Sequence, residues 1–119
     1  MRNCINCSTG LQVTRTRCGG CGLSYEGDFA LPRLARLDTA NYQLAERIIL
    51  AAGNLKQVAE ALEVSYPTLR KRIDGLITEL GRLETEDQAR GAALLDDVEA
   101  GRRSAEEAAR LVKEMNGVI

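Results

Sequence analysis

The chain predicts a mainly α protein: a small N-terminal β zinc ribbon, a three-helix unit containing a helix-turn-helix, and a C-terminal helical hairpin. Three observations carry this. Two Cys-x-x-Cys pairs stand near the start of the 119 residues. The stretch NLKQVAEALEVSYPTLRKRIDGLITELGRL has helical apolar spacing, broken once by a cap-forming turn. An acidic tail then repeats helix signals on either side of a glycine.

Residues 1–30 hold Cys4-x-x-Cys7 and Cys18-x-x-Cys21, with ten residues between the pairs. Two such pairs suit a tetrahedral four-thiolate zinc site, each pair forming a knuckle whose backbone N–H groups can bond the sulfurs. Gly19, Gly20 and Gly22 suit the sharp second turn. Leu11 to Arg17 alternates among β-formers and reads as a strand, with Leu23 to Tyr25 as its partner. The expected ligands of one structural zinc ion are Cys4, Cys7, Cys18 and Cys21. The rival readings are weaker on chemical grounds. A disulfide framework belongs to an oxidising compartment that nothing here indicates. A thioredoxin-like pair needs a βαβ context. A catalytic zinc keeps one position open for water, whereas four thiolates close the shell. A piece this small buries too little core to fold alone, so metal binding and folding should be coupled. Arg15 and Arg17 are either phosphate contacts or a solvated face.

Residues 31–37 form a docking connector. Pro32 can open a short helix, and Leu31, Leu34 and Leu37 recur at threes. With Phe29 they should dock the ribbon onto the next domain, leaving Arg33 and Arg36 in solvent. Residues 38–83 are the helix-turn-helix domain with an extended second helix. Asp38-Thr39 offers a cap for a helix through about Ala52, with Leu44, Ile48 and Ala52 on one face and Gly53 as its left-handed terminator. Asn54 caps the next helix, whose Val58, Ala59 and Leu62 face inward. Glu63-Val64-Ser65 is the turn, with Val64 its buried plug. Ser65 caps the second helix, and Pro67 sits in the first turn, where a missing N–H costs nothing. Leu69 and Ile73 then point inward. That leaves Tyr66, Thr68, Arg70, Lys71 and Arg72 outward, as a major-groove reading helix requires. Ser65, Tyr66, Thr68, Arg70 and Lys71 are the candidate DNA contacts.

Leu69, Ile73, Leu76, Leu80 and Leu83 alternate by four and three, with Ile77 widening the seam. Either the extended helix packs on its own domain, or Leu76, Leu80 and Leu83 meet a second copy. The latter gives a homodimer or higher homo-oligomer able to read symmetric half-sites. Residues 84–119 form an acidic helical hairpin. Leu94, Leu95 and Val98 share a face, and Gly101 ends that helix. Ser104 and Glu107 make a capping box, and Ala108, Leu111, Val112 and Met115 continue the stripe. So little apolar bulk needs a partner, either this chain, a second copy or another protein.

GNLKQVAEALEVSYPTLRKRI resembles the helix-turn-helix of the factor-for-inversion-stimulation class in its opening Gly-Asn, central Ala and Thr-Leu-Arg. It departs at Glu63, where many such motifs place a glycine. With the ribbon and the LPRLARL connector, residues 4–83 resemble a bacterial family known as domain of unknown function 2089. Its members look like a zinc ribbon fused to a helix-turn-helix and are commonly regarded as transcriptional regulators. The resemblance implies that role and no established activity.

Composition narrows the function classes. The formal net charge is −1, so DNA binding must rest on local clusters and not on overall charge. Residues 1–37 carry five arginines against Glu26 and Asp28, while residues 84–119 carry nine acids against five bases. The acidic tail is therefore not expected to touch DNA. With no histidine and every cysteine assigned to metal, an enzyme is not expected. The longest apolar run, Ile48 to Ala52, is too short to cross a bilayer, and no signal peptide is expected. A cytoplasmic DNA-binding regulator is the leading expectation. The alternative is a protein-interaction adaptor or oligomeric scaffold that uses the helix-turn-helix fold without DNA, with residues 84–119 as a partner site.

Overall fold

The computed structural model describes residues 3–117. In chain order they form β1 (Val13–Arg17), β2 (Ser24–Phe29), a 3₁₀ turn (Arg33–Arg36), α1 (Thr39–Leu50), α2 (Leu55–Ala61), α3 (Tyr66–Glu99) and α4 (Ala105–Met115). The fold is mainly α with a small N-terminal sheet. Two compact units divide the chain. One is Leu37–Glu86, and the other joins the residues up to Arg36 with those from Asp87 onward. The serial order of ribbon, connector, helix-turn-helix and tail therefore needs revision, because ribbon and tail belong to one unit. Helix α3 also runs unbroken past residue 84, where a separate hairpin was expected to start.

Helix starts in the Leu37–Glu86 unit are set by side-chain caps. The Asp38 carboxylate accepts from the Asn41 N–H at 2.8 Å, and the Asn54 side-chain oxygen accepts from the Gln57 N–H at 3.3 Å. Each satisfies an N–H that the first helical turn leaves without a partner. The helix ends share a different device. After α1, the Gly53 N–H donates to the Ile48 carbonyl and the Ala52 N–H to that of Ile49. This double bond pattern is a Schellman motif, which needs a left-handed residue just past the cap. That residue is Ala52, at φ 51°, and Gly53, the expected left-handed terminator, follows it at φ 79°. Ala52 thus leaves the apolar face of α1, and Ala51 packs against the core in its place.

The turn after α2 repeats the pattern. Val64 N–H donates to the Ala59 carbonyl and Glu63 N–H to that of Glu60. Glu63 stands at φ 55°, so the residue that departs from the usual glycine still adopts the glycine conformation. An L-residue there costs about 1–2 kcal/mol. Val64 packs against the core only partly buried, so it is a flank of the core and not a sealed plug. The core itself comprises Leu37, Leu44, Val58, Ala59, Leu69, Ile73, Leu76 and Leu83. Burying each such leucine or valine stabilises the unit by about 1.5–3 kcal/mol.

In the other unit, β1 and β2 pair antiparallel, with a bulge between Val13 and Arg15. The second strand is longer than the expected Leu23–Tyr25. The tail has its own small core of Leu94, Ala108, Leu111 and Met115, with Ala30, Val98 and Val112 packed on it. Gly101, at φ 73°, ends α3 as expected. Ser104 accepts from the Glu107 N–H at 3.1 Å. The reciprocal half of the capping box is replaced, because the Glu107 carboxylate accepts from Arg103 instead. Leu95 is 65% exposed and does not share the face of Leu94.

The tail's partner within this unit is the end of the ribbon. The Ala30 N–H donates to Glu114 at 2.8 Å, and Arg110 donates to the Asp28 carbonyl at 2.8 Å while its guanidinium lies over the Phe29 ring. Phe29 is thus engaged by the tail. Of the connector leucines only Leu37 is buried, whereas Leu31 and Leu34 are exposed. Arg33 and Arg36 do not face solvent freely, because both donate to Asp87, at 2.7 and 2.5 Å.

Candidate functional site

The two cysteine pairs sit on knuckles with the same backbone plan. In the first, Cys4 N–H donates to the Thr9 carbonyl and Ser8 N–H to that of Cys4. In the second, Cys18 N–H donates to the Leu23 carbonyl and Gly22 N–H to that of Cys18. Equivalent positions take the left-handed conformation, Ser8 at φ 61° and Gly22 at φ 78°. The Asn6 N–H also reaches the Cys4 sulfur at 3.4 Å. Hydrogen bonds from Thr9 and then Cys4 hold the Cys7 thiol below the ordinary thiol range. Backbone N–H groups of Cys21 and Gly20, then the Cys21 side chain, do the same for Cys18. Both effects favour the thiolate, the form that binds metal.

Local geometry and donor chemistry thus fit a thiophilic ion such as zinc at each pair. Among the described residues, however, no group of three or more Cys, His, Asp or Glu side chains is gathered to hold a metal. The four cysteines stand as two pairs. Arg15 of the neighbouring strand is paired with Glu26, which puts it on the solvated face.

The candidate DNA contacts come together on the first turns of α3. Leu69 is fully buried and Ile73 nearly so, which fixes the helix against its own unit. Ser65, Tyr66, Thr68, Arg70 and Lys71 are all exposed. Three of them are already partly engaged. Ser65 Oγ accepts from the Thr68 N–H at 3.3 Å and donates to Thr68 Oγ1 at 2.9 Å, so both serve the cap. Arg70 lies 3.7 Å from Asp74, one turn on, an exposed pair of little strength. Tyr66 and Lys71 carry no such partner among the described residues.

The proposed oligomer seam is corrected. Leu76 and Leu83 are 5% and 4% exposed, and Leu80 packs on the same core. These side chains close their own unit and leave little surface for a second copy. Ile77, by contrast, is exposed.

One residue escaped the sequence reading. Asp87 is a buried carboxylate, 6% exposed, holding Arg33 and Arg36. Burial pushes its pKa up, but the hydrogen bonds and charges of Arg36 and Arg33 outweigh burial and hold it below the usual carboxylate range. The signal was present: Asp87 falls one turn after Leu83 on the apolar face of α3, where an acid needs a partner.

No helix among the described residues is long and apolar enough to cross a membrane. No curated protein and no solved structure matches the chain. Residues 37–83 match the model of the family described as Domain of unknown function (DUF2089)-HTH, nearly the whole of the compact Leu37–Glu86 unit, so this unit is similar to that family's helix-turn-helix.

Proposed function

We propose that the protein is a cytoplasmic, non-catalytic DNA-binding regulator of transcription. The start of α3 reads DNA, and Cys4, Cys7, Cys18 and Cys21 hold one structural zinc ion. The observation that supports DNA binding most is the start of α3 itself. Tyr66, Thr68, Arg70 and Lys71 project from a capped helix whose inward side is anchored by Leu69 and Ile73. A reading helix needs such anchorage, because base contacts require fixed side-chain origins. Tyr66 and Lys71 are the freest contacts, and Arg70 can exchange its weak Asp74 pairing for a phosphate or a guanine edge. Two copies on a symmetric site would have to meet through a surface other than Leu76 and Leu83.

Gel-shift selection from a genomic fragment library tests this reading. A Kd below about 1 μM at moderate salt is expected, weakening steeply as salt rises. Arg70→Ala with Lys71→Ala should weaken binding by about tenfold or more. An unchanged affinity in that double variant sinks the assignment.

The presence of Asp74 beside Arg70 favours a second reading, an adaptor that keeps the fold but not the DNA contact. Stoichiometric co-purification with another protein, in preparations free of nucleic acid, would decide for it.

A further inference from the structure

We propose that a groove on the side of α3 facing away from Arg70 binds a small organic carboxylate. Asn41 and Leu44 of α1, Leu62 at the end of α2, and Arg72, Gly75 and Glu79 of α3 line a concavity of about 560 Å³. Small-molecule sites typically enclose about 300–1,000 Å³. All six residues belong to the Leu37–Glu86 unit.

The lining has the parts such a ligand needs. Arg72 stands two residues beyond Arg70, roughly 200° round the helix from it. The nearby acids of α3 are already engaged, Asp74 with Arg70 and Glu79 with Arg82. Arg72 is therefore left without a carboxylate partner among the described residues. A guanidinium in that state offers two parallel N–H donors, matched to the two oxygens of a carboxylate. Leu44 and Leu62 supply an apolar wall for the rest of the molecule, so the groove favours an organic acid over an inorganic anion.

Gly75 keeps the groove open. A Cβ there would meet nothing within 4 Å, so packing does not call for glycine, and glycine is the poorest non-proline helix former. Gly81 and Gly91 also have open space, but only Gly75 lines the groove. A larger side chain at 75 would project into it. The site is independent of the DNA reading, and either can fail alone.

The test is a titration of the full-length, ¹⁵N-labelled protein with benzoate, with benzamide as the uncharged control. Benzoate should shift the amides of Asn41, Leu44, Leu62 and Gly75 and saturate with a Kd on the order of 1 mM or tighter. Arg72→Gln should weaken binding by about tenfold or more, with partial recovery in Arg72→Lys. Gly75→Leu should abolish binding while circular dichroism keeps its helical signal; if that variant unfolds, the Arg72 pair decides. No saturation below about 10 mM, equal binding of benzamide, or indifference to Arg72→Gln overturns the proposal. So does a dimer that Arg72→Gln dissociates in the absence of any benzoate binding, since a second copy would then fill the groove.

Discussion

The two units of this protein are stabilised by different means. Leu37–Glu86 has a contiguous apolar core to which all three of its helical segments contribute. Its ion pairs, such as Arg70 with Asp74 and Arg82 with Glu79 and Glu86, lie at the surface and add little. Among the described residues, the ribbon-and-tail unit has a small core of Leu94, Ala108, Leu111 and Met115. It relies on polar links instead: Asp87 with two arginines, Glu114 on the Ala30 N–H, and Arg103 and Arg110 on Asp28. The β1 and β2 residues are almost all exposed. An apolar core is indifferent to pH and to metal. Polar links and a thiolate site are not, so the units should respond to different insults.

Removal of the proposed zinc should give the largest contrast. Structural zinc sites contribute about 10–16 kcal/mol of apparent binding energy in small domains. A strong chelator is expected to erase amide protection in β1 and β2 and to leave α1, α2 and the start of α3 protected in hydrogen exchange. Equal loss in both units, or none in the ribbon, would break the comparison.

Next comes the buried acid. Asp87→Asn leaves two arginines without their carboxylate and should cost about 1–3 kcal/mol, less than a fully buried pair because both arginines remain partly exposed. Urea unfolding measures it. Because the folded pKa of Asp87 is lowered, its stabilisation is fully present above the unfolded value of about 3.9 and fades as pH falls through the folded one. Wild type should therefore lose its advantage over Asp87→Asn only in that acidic range. An advantage that persists there would show the effect to be one of packing.

The smallest effects concern helix ends. Ala52 and Glu63 hold left-handed positions in the helix-turn-helix unit, where the tail uses Gly101 and Gly117. Relief of strain outweighs the added freedom of the unfolded chain, so Ala52→Gly and Glu63→Gly should each stabilise by about 0.5–1 kcal/mol. Gly101→Ala should destabilise by a similar amount. Thermal melts of the three variants check the signs.

Residues that act on near neighbours were the legible ones. Asp38, Asn54, Ser65 and Ser104 each cap a helix through an N–H three residues on, and both knuckles close within five residues. The exposed face at Tyr66–Lys71 followed from helical period alone. Where the expectation slipped locally, at the end of α1, the left-handed Gly53 was foreseen but the left-handed Ala52 before it was not.

What only the tertiary structure decided lies far apart in the chain. Ala30 and Glu114 are 84 residues apart, and Arg33 and Asp87 are 54 apart. Nothing in the spacing of LPRLARL says that its arginines close on an acid in α3. Nor could the heptad of Leu76, Leu80 and Leu83 choose between a second copy and its own core, since both bury the same side chains. Local hydrogen bonds and apolar period determine where helices begin, end and turn their faces. Which surface covers each face depends on the whole chain, and here that chain supplied the cover itself.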